Sequence, residues 1–100
     1  MSAITTHVLD AVLGKPAAGI SVRLEKREGG GWSAIASGMT DADGRCRGLA
    51  PDAAQGTYLA GIGRTSIYPE IAITFNSNGR EHYHLPLLLS DNSYTTYRGS

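Results

Sequence analysis

Apolar and polar residues alternate with a period of two along most of the chain, which is the pattern of half-buried β-strands. In "GISVRLEKRE" this alternation places Ile20, Val22 and Leu24 on one face, opposite polar neighbours. Six further segments have the character of short strands: "THVLDAVLG", "WSAIASGMT", "CRGLA", "EIAITF", "HYHLPLLLS" and "SYTTYRG". No stretch has the apolar spacing of an amphipathic helix.

Turn-forming residues separate these segments at short intervals. Turns are expected at Gly14-Lys15-Pro16, in the "GGG" of 29–31, at Asp43-Gly44 and at 76–79. Seven or eight short strands with such spacing predict an all-β fold, an antiparallel β-sandwich of two sheets. Residues 1–100 form one domain, because domains usually contain ~50 to ~250 residues.

Two of the predicted strands carry histidines on the face that does not point to the core. In "HYHLPLLLS", His82 and His84 share one face, whereas Leu85 and Leu87 lie on the other, since side chains alternate along a strand. The first strand adds His7, which shares a face with Leu9 and Ala11, whereas Val8 lies on the opposite face. An imidazole at such a position needs a polar partner or a function.

Three interpretations of these histidines are open. They could be partly buried residues that are satisfied by hydrogen bonds. His7 with His82-x-His84 could instead supply three imidazoles to a metal, although no carboxylate or thiol has ligand-like spacing. In the third interpretation they perform acid–base catalysis, because histidine titrates near neutral pH and can take a proton from water without a metal.

Composition narrows the class of protein. The formal net charge is zero, so there is no basic excess for nucleic acid, and no apolar stretch is long enough for a membrane helix. The single cysteine, Cys46, cannot form an intrachain disulfide, and the N-terminus lacks the features of a secretory signal. We therefore expect neither a nucleic-acid nor a membrane partner, and a cytoplasmic location.

Three segments together resemble the 5-hydroxyisourate hydrolase family, transthyretin-related enzymes of purine breakdown. They are "TTHVLDAVLGKPA" at 5–17, "HYHLPLLLS" at 82–90 and the terminal "YRGS" at 97–100. "GMTDADGR" and "YPEIAITF" are also similar to segments of that family. The resemblance implies two four-stranded antiparallel sheets and a homotetramer, with active sites in a channel where two dimers meet.

The resemblance also implies a set of site residues and a reaction. The catalytic residues would be His7, Arg45, His84 and Ser100, and substrate would be bound by His7 and Arg45 with Tyr97, Arg98 and Gly99. The reaction would be the hydrolytic opening of a ring amide in 5-hydroxyisourate, with no cofactor and no metal. A non-catalytic transthyretin-like module that binds a small ligand, or a scaffold altered by a deletion, is the alternative.

Two features conflict with a regular sandwich of this kind. Pro86 cannot donate a backbone hydrogen bond, so a local irregularity is expected there. Relative to the family, the chain also has an apparent internal deletion between Thr57 and Tyr58, which would remove an inner strand of one sheet. Either residues 58–64 form a replacement strand or loop, or the natural chain carries residues that this sequence lacks.

Overall fold

A computed structural model describes residues 3–46, 49–50, 53–63 and 67–99 of the chain. These residues form strands, turns and loops, and no helix among them could span a membrane. The eight strands are β1 (Ile4–Asp10), β2 (Lys15–Pro16), β3 (Ser21–Glu28), β4 (Gly31–Met39), β5 (Gly56–Gly63), β6 (Glu70–Ser77), β7 (Tyr83–Leu89) and β8 (Tyr94–Thr96). The predicted all-β fold is confirmed.

The strands form two four-stranded sheets, with orders β2-β1-β7-β8 and β4-β3-β5-β6. All neighbours are antiparallel except β1 and β7, which run parallel with Thr5 opposite His84 and Val8 opposite Leu87. The expectation of two wholly antiparallel sheets is therefore wrong for this pair. The chain between β1 and β7 contains β2 and all four strands of the second sheet, so β7 can pair with β1 in either direction. A hairpin, in contrast, forces antiparallel pairing.

The core lies between the sheets and follows the alternation in the sequence. The first sheet contributes Ile4, Val8, Leu85, Leu87 and Leu89, and the second contributes Val22, Leu24, Tyr58, Ala60, Ile62 and Ile71, all of them buried. Full burial of one aliphatic side chain stabilises the fold by about 1.5–3 kcal/mol. This core consequently fixes which face of each strand points outward.

The inner strand that was expected to be missing from the chain is present as β5. This strand pairs with β3 on one side and with β6 on the other, and its residues Tyr58, Ala60 and Ile62 are buried. The prediction of a missing inner strand is wrong, because "GTYLAGIG" places Tyr58, Ala60 and Ile62 on the core face and pairs with a strand on each side. Within the predicted span of 58–64, residues 58–63 belong to this strand, and residue 64 lies outside the described residues.

Other departures from the predicted strands are local. β1 ends at Asp10, because the Asp10 carboxylate accepts the backbone N–H groups of Val12 and Leu13 and starts a turn there. The described part of "CRGLA" forms only single bridges, and the irregularity predicted at Pro86 is confirmed. The β7–β8 ladder begins at Leu87, breaks at the proline and is resumed by a bridge from His84 to Gly99.

Candidate functional site

The outward face of the β1–β7 pair carries a hydrogen-bonded group of one threonine and two histidines. The parallel register places Thr5 opposite His84. The Thr5 hydroxyl lies 2.7 Å from Nδ1 of His84 and 2.8 Å from Nε2 of His82. The ring centroids of His82 and His84 are 6.3 Å apart and nearly perpendicular. His84 is half-buried and His82 is exposed, so the group extends from the cleft floor to solvent.

Arg45 reaches the same face through a turn that is built on Asp41. The Asp41 carboxylate accepts the backbone N–H groups of Asp43 (2.9 Å) and Arg45 (3.0 Å), which is the local bonding that favours aspartate in turns. The turn is docked on β1 because the Gly44 carbonyl accepts the N–H of Val8 at 2.8 Å. Arg45 itself is exposed, and no described residue forms an ion pair with its guanidinium.

His7 lies two residues beyond Thr5 on β1 and faces this turn. Its Nε2 donates to the carbonyl oxygen of Asp43 at 2.7 Å, and its backbone bridges to Arg45. A neutral His7 with Nε2 protonated has Nδ1 as its free basic nitrogen. The imidazole is thus oriented by the backbone of the turn that carries Arg45.

The C-terminal residues return to β7 beside His84. The Gly99 N–H donates to the His84 carbonyl at 2.7 Å, and a Cβ on Gly99 would lie only 2.7 Å from Cδ2 of the His84 ring. Glycine is therefore required for this approach. Arg98 donates from Nη2 to the Glu81 carboxylate at 3.1 Å and lies 4.2 Å from the ring centroid of Tyr83.

Two further residues were predicted for the site, Tyr97 and Ser100. Tyr97 is 55 % exposed and does not line the cleft. Ser100 lies outside the described residues. The structure thus gathers His84, Arg45, Arg98 and Gly99 around one space, with His7 beside them.

These elements enclose an open cleft of about 800 Å³, which falls within the size range of small-molecule sites. The lining residues are Thr5, Thr6, Arg45, Cys46, Glu81, His82, His84, Arg98 and Gly99. Thr5, Thr6 and Glu81 were not among the predicted site residues. Thr5 could have been found, since it shares a strand face with His7, whereas the position of Glu81 depends on how the tail folds back.

The environment of His84 favours the neutral imidazole. Burial lowers the pKa of His84 below its ordinary value of 6.5, and the positive charge that His82, Arg45 and His7 carry or acquire lowers it further. Burial raises the pKa of the Cys46 thiol in the same cleft, with a smaller contribution from Asp41. At neutral pH the cleft therefore contains a neutral base next to a permanent cation, Arg45.

A metal site finds no support in this geometry. Within the described ranges, no group of three or more His, Cys, Asp or Glu side chains is arranged to hold a metal ion. Thr5 occupies the position between His82 and His84, and the ring of His7 is directed to the Asp43 carbonyl. His82 and His84 are therefore bound to one shared hydroxyl, and His7 is bound to a backbone carbonyl.

Fold and cleft together define a transthyretin-like β-sandwich with a histidine–arginine site on one sheet. The profile of the HIUase/Transthyretin family matches residues 4–99, and the chain belongs to this family. A "5-hydroxyisourate hydrolase" of Caulobacter vibrioides is 44% identical over 115 positions, covering 100% of both chains. Because this chain has 100 residues, it is shorter than that alignment and lacks counterparts for some of its positions.

Two solved structures are also similar to this chain. The structure of Klebsiella pneumoniae 5-hydroxyisourate hydrolase has a TM-score of 0.83 and 34% identity, with 100% of both chains covered. Sea bream transthyretin in complex with thyroxine has a TM-score of 0.88 and 31% identity, covering 96% of this chain and 93% of that one. The same fold is thus found in a protein named as an enzyme and in one solved in complex with thyroxine.

Gly44 is expected to be required for the placement of Arg45. Its φ is +80°, and a Cβ there would collide with the Val8 carbonyl and approach the His7 ring. Gly14 also has positive φ, at +68°, but nothing lies within 4 Å of its added Cβ. Gly14→Ala should cost about 1–2 kcal/mol of unfolding free energy, and Gly44→Ala about 1–3 kcal/mol more through the collision.

Urea unfolding followed by circular dichroism measures both variants. Equal losses of stability in Gly44→Ala and Gly14→Ala would contradict the docked position of the turn on β1.

Proposed function

We propose that this protein hydrolyses 5-hydroxyisourate by opening a ring amide, to give 2-oxo-4-hydroxy-4-carboxy-5-ureidoimidazoline. The observation that carries the proposal is the cleft in which a neutral His84 lies with Arg45 and the docked tail of Arg98 and Gly99. Its support from relatives is the 5-hydroxyisourate hydrolase name of the Caulobacter and Klebsiella proteins.

The chemistry requires a base, a stabiliser of negative charge and a proton donor. His84 takes a proton from water through Nε2, which no described residue occupies, and the water oxygen attacks the ring carbonyl carbon. The guanidinium of Arg45 stabilises the oxyanion that forms on the carbonyl oxygen. The carbon–nitrogen bond then breaks, and the leaving nitrogen takes up the proton that His84 holds on Nε2. The new carboxyl group remains on the product.

The other predicted residues bind and orient the substrate in this proposal. Arg98 uses Nη2 for Glu81 and the His82 carbonyl, so its remaining N–H groups are directed to substrate oxygens. The His7 ring, which is hydrogen-bonded to the Asp43 carbonyl, adds a polar group to the side of the site that carries Arg45. The resemblance gives Tyr97, Gly99 and Ser100 a part in binding or orienting substrate or water, and of these Gly99 lines the cleft.

His84→Ala is expected to abolish most of the hydrolysis. Loss of a general base lowers kcat by about 100-fold or more. The measurement follows the ultraviolet absorbance of freshly generated 5-hydroxyisourate, with and without protein. Arg27→Ala is the matched control, because Arg27 stacks on Trp32 in the other sheet and should leave the rate unchanged.

Equal decay of 5-hydroxyisourate with and without the wild-type protein would contradict the hydrolase. If a small aromatic ligand bound under those conditions without turnover, the function would be that of a carrier.

The pH dependence of kcat/KM is expected to reflect the environment of His84. The base must be unprotonated, so activity falls as the pH drops through its pKa, which lies below 6.5. Arg45→Gln removes one of the positive charges that lower this pKa, so the acidic limb should move to higher pH. Arg45→Lys retains the charge and should leave the limb in place.

Initial rates measured across pH 4.5 to 8.5, about two units on each side of the ordinary histidine pKa, provide the profile. An acidic limb above 6.5 in the wild type would be inconsistent with His84 as the base.

We also propose a cytoplasmic homotetramer in which the cleft is completed at the interface of two dimers. The open side of the cleft supports this, as does the exposed apolar turn of Val12 and Leu13 on the same sheet, at 56% and 64% exposure. Apolar side chains exposed side by side are typical of surfaces that bind another protein. The neighbouring copies would then exclude water from the substrate.

Sedimentation is expected to give a species of about four chains of 10.5 kDa. Leu13→Lys should produce smaller species with lower activity, because a charge replaces an apolar interface residue. Met39→Lys is the matched control, since Met39 is 62% exposed on the other sheet. A wild-type mass of one or two chains would contradict the tetramer.

A further inference from the structure

The Thr5 hydroxyl connects two histidines through hydrogen bonds that are both short. It lies 2.7 Å from Nδ1 of His84 and 2.8 Å from Nε2 of His82. The β1–β7 register holds Thr5 directly opposite His84, and the buried Thr6 beside it donates to the Leu85 carbonyl at 2.8 Å. The backbone of Thr5 is therefore held beside His84 by the sheet, which places its Oγ atom within reach of both rings.

A hydroxyl has a single proton, so it donates to one ring and must accept from the other. If Thr5 donates to Nε2 of His82, then Nδ1 of His84 carries a proton and Nε2 of His84 is bare. If Thr5 donates to Nδ1 of His84 instead, Nε2 of His84 is protonated and cannot accept a proton. The tautomers of the two histidines are coupled through one oxygen atom.

Only the first of these states makes His84 a base toward the cleft. The Nδ1 atom is occupied by Thr5, and no described residue bonds to Nε2 of the same ring. A lowered pKa keeps this ring neutral at neutral pH, which the coupling requires. The ionisable or charged groups that face the two rings are His7, Arg45, Cys46, Glu81 and Arg98.

We propose that Thr5 is a positioning residue that holds His84 in the tautomer with a bare Nε2, and that His82 exchanges the proton of this pair with solvent. The inference rests on the proposed hydrolase function and explains how His84 obtains and recovers the tautomer in which it acts as the base. His82 suits the role because its ring is exposed, whereas His84 is half-buried.

Each proton that is gained or lost along this path is accounted for over one reaction cycle. When Nε2 of His84 takes a proton from the attacking water, its Nδ1 proton passes to Thr5, and the Thr5 proton passes to Nε2 of His82. His82 then releases its Nδ1 proton to solvent, which leaves all three residues neutral. His84 now carries its proton on Nε2 and can give it to the leaving nitrogen, while the reverse shifts through Thr5 and a proton from solvent restore the first state.

Thr5→Val tests the positioning role, because valine keeps the shape of the side chain and removes the hydroxyl. In protein labelled with ¹⁵N in its histidines, the spectrum of His84 should change from Nδ1-protonated toward a tautomer mixture. The value of kcat should fall about 10-fold to 100-fold with KM little changed, since binding groups remain in place. Thr5→Ser restores the hydroxyl and should recover the tautomer and most of kcat.

Thr57→Val is the matched control. Its hydroxyl donates to Asn76 on the other sheet, so both the His84 spectrum and kcat should remain as in the wild type. If Thr5→Val leaves the His84 tautomer and kcat unchanged, the positioning role is overturned. Because the spectrum is recorded on the free protein, this outcome is distinct from failure of the hydrolase, in which the wild type itself does not turn over substrate.

His82→Gln tests the exchange of protons with solvent separately. Glutamine can accept the hydrogen bond from Thr5 but cannot carry a proton onward. The tautomer of His84 should persist, whereas kcat should fall and be restored by added imidazole, which supplies an external proton acceptor. A kcat equal to that of the wild type without imidazole overturns the role of His82.

Discussion

The parallel pairing of β1 with β7 is the constraint on which the site depends. It places Thr5 beside His84 on the outward face and Val8 beside Leu87 on the core face. A slip of one residue would turn the histidine face inward. Because Val8 and Leu87 are fully buried, at about 1.5–3 kcal/mol each, and a hydrogen bond contributes only about 1 kcal/mol, core packing and not the Thr5 contacts sets this register.

Segments that are distant in sequence reach the cleft because each is bonded to this strand pair. The turn that carries Arg45 is attached to β1 through the Gly44 carbonyl and the His7 ring, and the tail is attached to β7 through Gly99. Pro86 has a part in this arrangement. Since it has no N–H to donate, the ladder with β8 breaks there, and the chain between Thr96 and Gly99 is freed from regular pairing before it meets His84.

Much of the fold was predictable because the alternation of apolar residues depends on the core alone. The outward face of His82 and His84, the turns at Gly29-Gly30 and Asp43-Gly44 and the break at Pro86 followed from such local rules. The turn expected at Gly14-Lys15-Pro16 was misplaced, because the turn lies at residues 11–14 and Lys15–Pro16 form β2. The parallel direction of β1 and β7 did not, since alternation looks the same for both directions. The strand β5 was misjudged because a chain of 100 residues is shorter than its alignment of 115 positions with a relative, and length alone does not tell which element was shortened.

The candidate site was predictable to the extent that its residues carry chemistry themselves. Arg45 and His84 stand out as ionisable groups, and the structure gathers them at one cleft. Thr5 and Glu81 act through their partners, so only the register and the position of the tail identify them. A threonine in a strand is ordinary in any sequence, and its meaning here comes from the two rings that flank it.

Arg45 affects both the basicity of His84 and, in the proposed mechanism, the negative charge that forms on the substrate. Arg45 contributes to the low pKa of His84, which makes the ring a weaker base but keeps it unprotonated. In the proposed mechanism, the same positive charge favours the oxyanion that forms when water attacks. A weaker base is tolerable only if the proton it accepts is removed efficiently and the negative charge is stabilised at once. In the proposed mechanism, a half-buried imidazole bonded to an exposed one through a single hydroxyl, near a guanidinium that no described residue pairs, would meet both conditions.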